Sequence, residues 1–136
     1  MSYGVSAALQ AAIYDALGAD SALAALVGTA IYDAIPSGTL PTLYVALGAE
    51  TVRAAGDQTG NGTEHLINVE IHTDVPGFAA AKAAAGAVSD VLHRADLTLT
   101  RGRLIYLNFD RASAARVEGA TGRVIELRFK ARIEDD

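Results

Sequence analysis

This chain predicts an α+β fold: a largely antiparallel sheet packed against one long helix, with helices at the N-terminal end. Three observations carry that reading. The closing segment alternates strictly, with Ile125, Leu127, Phe129, Ala131 and Ile133 at odd positions and Glu126, Arg128, Lys130, Arg132 and Glu134 at even ones. That is the period of a strand with one buried face. Phe78, Ala81, Ala85, Val88 and Leu92 recur at helical spacing, so a helix there buries one stripe. The elements run helices, strands, long helix, strands, without internal repeat or linker, as expected for one helix layer on one sheet. A chain of 136 residues then reads as a single domain, 1–136, large enough to bury a core.

In order, Val5, Leu9, Ala12, Ile13, Ala16 and Leu17 predict a first helix, with Gly18 as its stop. Asp20 is placed to cap a short second helix over residues 21–27, closed by Gly28. Residues 30–33 read as a short strand. Two prolines and a glycine make 35–41 a loop. The apolar run 43–47 reads as a central strand. Residues 50–62 hold three glycines, with Asp57, Gln58, Thr59 and Asn61 among them, and predict a flexible loop between antiparallel strands. The return strand spans 64–73, with Ile67, Val69 and Ile71 toward the core and Asn68, Glu70 and His72 on the other face. Thr73 or Asp74 is expected to cap the long helix, with Pro76 in its first turn. Leu97 and Leu99 suggest a short strand, residues 104–110 another, and 119–122 the turn into the last.

Composition removes several classes of function. There is no cysteine, hence no disulfide framework and no thiolate metal site. Eleven basic against 16 acidic residues give a formal charge of −5, which disfavours tight non-specific binding to a nucleic-acid backbone. Residues 1–3 carry no basic leader, and no apolar run approaches a membrane span. A soluble protein made in the cytoplasm is expected.

Catalytic chemistry finds little to work with. His65 and His72 are an odd number of residues apart on one strand and leave opposite faces. His72 and Glu70 share a face, but two ligands without a third do not make a closed metal site; solvated side chains are the simpler expectation. His93 ends the long helix, where positive charge suits the macrodipole. No G-x-S-x-G elbow is present. Gly60-Asn61-Gly62 lies between strands rather than before a helix, so it is no phosphate cradle. The expectation is a protein that is not an enzyme and uses no metal or cofactor. A small metal-dependent enzyme built on His72 and Glu70 is the rival from another class.

The charges point elsewhere. Arg101, Arg103, Arg111, Arg116, Arg123, Arg128 and Arg132 crowd the last third against an acidic N-terminal half. They are either ordinary solvated strand faces or one half of a complementary contact between copies, head to tail, which closes into a ring when the rotation permits. The glycine-rich loop likewise either ends a hairpin or orders against a neighbour on binding.

One stretch is more specific. Ile31-Tyr32-Asp33-Ala34-Ile35-Pro36-Ser37-Gly38, then Leu40-Pro41 and Leu43-Tyr44-Val45-Ala46-Leu47-Gly48, resembles the pattern of tail-terminator (tail-completion) proteins of long-tailed phages. The strand His65 to Thr73, the helix bearing Gly77, Phe78, Ala81, Ala85, Val88 and Leu92, and the ending from Arg123 to Arg132 are similar as well. The alanine-rich style is nearest to versions from phage-like gene transfer agents.

That resemblance implies a structural protein, made in the bacterial cytoplasm and then seated at the tail–neck junction. It implies a six-fold ring that caps the tail tube, ends its growth and receives the head connector, with DNA passing through a central channel without sequence-specific binding. The geometry is compatible: a domain of this length is roughly 37 Å across, and six touching spheres leave a hole one sphere wide. Glu126, Arg128, Lys130 and Arg132 are the expected subunit or neck contacts, and Arg53 and Asp57 the expected channel-side loop residues. A head-side stopper or adaptor of similar fold is the nearest alternative.

Overall fold

A computed structural model describes residues 3–55 and 62–135, and in them the buried stripe of each helix faces one side of a five-stranded sheet. Helix α1 (Val5–Ala19) forms because Val5, Leu9, Ile13 and Leu17 fall about one turn apart, and all four are buried. Gly18 does not stop it, contrary to expectation. The chain leaves helical geometry at Asp20 (φ −83°, ψ 122°), whose carboxylate accepts the Leu23 N–H at 2.9 Å and so caps α2 (Ser21–Val27). Gly28, at φ 61°, closes α2 as expected.

The strand order is β1-β2-β3-β5-β4. Strand β1 (Ile31–Tyr32) lies parallel to β2 (Leu43–Ala54). The pairs β2–β3, β3–β5 and β5–β4 are antiparallel, with β3 at Gly62–Thr73, β4 at Arg103–Arg116 and β5 at Arg123–Glu134. The sheet is therefore mixed, and the strand that begins at Leu43 is second from an edge; β3 is the middle strand.

The predicted loop over 50–62 is corrected at both ends. Glu50 to Ala54 continue β2 and pair with Ile67 to Thr63, while Gly62 already belongs to β3. Ladder bonds from β3 hold this polar stretch extended, and local composition is blind to a partner that far along the chain. A register shift between Leu47 and Glu50 marks a bulge. Asp57 lies outside the described residues.

Helix α3 (Ala79–Leu92) is 14 residues long against 15 for α1, so two helices of similar length share the cover and no single long one dominates. It begins after Phe78, not after Thr73 or Asp74: Thr73 ends β3, and Gly77 at φ 105° cannot sit inside a right-handed helix. Pro76 thus precedes the helix. Its stripe is as read, with Ala81, Ala85, Val88 and Leu92 buried. Residues 95–99 form no strand; Leu97 and Leu99 pack against the core from irregular chain. Between helices and sheet, Phe129, Leu107, Ile71, Val69 and Ile133 are buried at 0% exposure.

Candidate assembly surface

Period-two alternation fixes which side chains leave the core. Along β3, Glu64, Leu66, Asn68, Glu70 and His72 share the face away from the helices. Their β5 partners there are Arg132, Lys130, Arg128, Glu126 and Val124. Arg53 enters the same face opposite Glu64. The four predicted contact residues of β5 are thus brought together on one open face, and Arg53 joins them from a strand, not from a loop.

Most of these charges already pair within the chain. Arg53 Nη2 and Lys130 Nζ lie 2.8 and 3.6 Å from Glu64. Arg128 Nε donates to Asp110 at 2.6 Å, and Arg132 Nη2 to Glu134 at 3.1 Å. Glu126 is exposed, with no bonding partner among the described residues. Partly exposed pairs of this kind each contribute ~0–1 kcal/mol, so none of them fixes the face strongly. Arg132 lies over Gly62, where an added Cβ would meet Nη2 at 2.6 Å. Arg132 Nε and Asn68 Oδ1 are occluded without a hydrogen bond.

The histidines separate into three environments. His72 is half-buried, 2.9 Å from Glu70 Oε1, and stacked on Tyr44 with ring centroids 4.8 Å apart. Burial, helped by the Glu70 carboxylate and Tyr32, pushes the Tyr44 hydroxyl above its ordinary value. No third His, Cys, Asp or Glu completes a metal-ligand group among the described residues.

His65 is not solvated, as had been expected, but wholly buried. Its Nε2 is 2.9 Å from Thr63 Oγ1 and its Nδ1 is 3.0 Å from Glu50 Oε2. Ser6 Oγ donates to Glu50 at 2.6 Å, and Tyr3 OH at 3.4 Å. Burial pushes the Glu50 carboxyl up, but the bonds from His65 and Ser6, the charge His65 can carry and the bond from Tyr3 together leave it below its ordinary value. This network ties the start of α1 to β2 and β3. The serine meets the carboxylate, not the imidazole, so no activated nucleophile results.

His93 Nδ1 accepts the Phe109 N–H at 3.0 Å. The bond ties the end of α3 to β4.

The crowded arginines also divide. Arg123 is buried, donates to the carbonyls of Thr121 and Gly122 at 2.6 and 3.2 Å and lies 5.3 Å from the Phe78 ring centroid; it is part of the fold. Arg101 pairs with Asp135 at 2.9 Å. Arg103, Arg111 and Arg116, all on β4, are exposed and have no acidic partner among the described residues.

A scan against known families matches residues 11–134 to Tail completion protein gp17. The chain belongs to that family. As a tail completion protein it has a structural role in a tail. A chain in the solved virion of a native gene transfer agent (GTA) particle is 58% identical, with a TM-score of 0.93 over 98% of this chain and 99% of that one. A comparison with curated protein sequences gives no match. No helix among the described residues is long and apolar enough to cross a membrane.

Proposed function

We propose that this tail completion protein is a structural part of a GTA-like particle. Six copies form a ring on the end of the tail tube, end tube growth and receive the head connector, while DNA passes through the centre. The observation that carries this is the 58% identity, over nearly the full length of both chains, to a component of a GTA virion. A non-enzymatic role agrees with a site made of paired surface charges, and no cofactor is assigned. Glu126, Arg128, Lys130 and Arg132 are the proposed subunit or neck contacts, with Arg53 toward the channel; Asp57, its companion by sequence, lies outside the described residues.

The formal charge of −5 suits a DNA channel, because an acidic wall makes few of the cationic contacts that release counterions and hold a duplex. Assembly in the bacterial cytoplasm and residence at the tail–neck junction follow from the same reading. Deleting the gene tests it. Electron microscopy of the deletion is expected to show tails of uncontrolled length or heads without tails, restored by the gene in trans. Fully joined particles of normal length would contradict the proposal. Protein that remains with purified heads, not with purified tails, would favour a head-side stopper instead.

A further inference from the structure

The sequence contains no lysine or arginine before Arg53. Helices α1 and α2, strand β1 and the loop after it therefore present only acidic charge, from Asp15, Asp20 and Asp33. Asp15 and Asp33 are exposed and line one hollow of about 360 Å³ with Ala7, Gln10, Ala11 and Tyr14. Gln10 Nε2 donates to Asp33 at 2.6 Å, and Asp15 has no partner among the described residues. Two large apolar side chains border this acidic side, Tyr14 at 41% and Ile35 at 48% exposure.

The opposite edge of the sheet is the reverse. Strand β4 is outermost, 14 residues long, and every residue from Phe109 to Arg116 is exposed. Long bare edges invite pairing with another chain unless something covers them. This one carries the unpaired Arg103, Arg111 and Arg116, and beside them Ile105 and Phe109, exposed at 44% and 40%. Asp110, beside Arg111 on the same strand, is taken by Arg128, and Asp96 and Glu118 bond to none of these arginines among the described residues.

Four strand intervals separate β1 from β4, about 19 Å at the usual spacing. That is more than twice the ~8 Å screening length at physiological ionic strength. The two charge sets therefore do not neutralise each other within one subunit.

We infer that subunits meet head to tail, the β4 edge of one against the α1–β1 side of the next, with Arg111 facing the neighbour's Asp15 and Asp33 and with Arg103 and Arg116 flanking it eight and five residues along the strand. The occupant of the β4 edge is a second copy of this chain, and the contact is heterologous, the kind that closes into a ring. This rests on the ring reading above.

A charge exchange tests it by mass measurement in solution, with and without tail-tube subunits of the same particle. One variant carries Arg103→Glu, Arg111→Glu and Arg116→Glu; the other carries Asp15→Arg and Asp33→Arg. Each alone sets like charges face to face and is expected to lose assembly at least tenfold in the concentration required. Mixed in equal amounts they restore opposite charges at every contact, and an alternating ring of wild-type mass is expected, which also proves both variants folded.

Several results would overturn the interface. Either variant assembling alone as wild type does is one. The aspartate variant doing so would point to a β4-to-β4 contact, and the arginine variant doing so would leave those arginines for another ligand such as duplex DNA. A mixture of folded variants, checked by circular dichroism, that stays dissociated is another. Wild-type protein that stays monomeric even with tube subunits contradicts the ring itself, a distinguishable failure.

Discussion

Glu50 shows how a residue unremarkable in sequence becomes structural. It stands in a polar stretch with nothing local to mark it, yet its carboxylate gathers His65, Ser6 and Tyr3. The carboxyl is held below its ordinary 4.5, so the ionised form is favoured in the folded state. Its stability contribution is therefore fully present above that value and lost as pH falls through the lower, folded one. In Glu50→Gln the group no longer titrates. Thermal unfolding between about pH 5 and pH 3 should fall less steeply than in wild type, and stability at pH 7 should drop by about 1 kcal/mol, since bonds to a charged acceptor exceed those to a neutral one by roughly that much. Equal slopes for the two proteins would contradict this role. His65 was misjudged for the same reason: an imidazole at a core-facing position looks like a liability until its partners, 15 residues away in Glu50 and two away in Thr63, are seen to satisfy it.

At the scale of elements, β3, β5 and α2 were legible because their information is local. Strict alternation sets which face of β5 is buried, and Asp20 with Gly28 brackets α2. The failures share a cause. Residues 50–54 are a strand only because β3 supplies their hydrogen bonds, and residues 95–99 are none because no strand is there to receive them. Gly18 stops nothing, since a glycine late in a helix costs only ~1 kcal/mol relative to alanine and the break belongs to Asp20. Gly102 carries information of another kind. At φ 79° an added Cβ would lie 3.0 Å from both Ile133 and Val5 and 3.1 Å from the Glu134 carbonyl, where the start of α1 meets the end of β5. Gly102→Ala should destabilise the protein by about 2 kcal/mol, from the left-handed backbone and the crowding. Chemical denaturation measures it, and an unchanged or raised midpoint would show that this junction has slack.

For the whole molecule, the fold class and the family were readable from the chain, whereas the assembly surface was readable only in outline. The sequence marked Glu126, Arg128, Lys130 and Arg132 as one charged face, and they do share one. It was silent on Asp110 and Glu64 as their partners, because ion pairs across strands depend on register, whereas Glu134 is two residues from Arg132 on the same strand. It also grouped seven arginines that the fold then divides between core, paired face and bare β4 edge. Strand order makes that division, by placing β4 outermost at the edge farthest from β1.

The central claim, that this chain acts by assembling on a tube end, is most directly tested by light-scattering mass in the presence and absence of tail-tube subunits, at about 0.1 M and about 1 M salt. The account predicts a species of six times the 14.0 kDa chain mass, favoured by tube subunits and loosened at high salt, where the screening length shrinks from ~10 to ~3 Å. A protein that remains monomeric under all four conditions would contradict it.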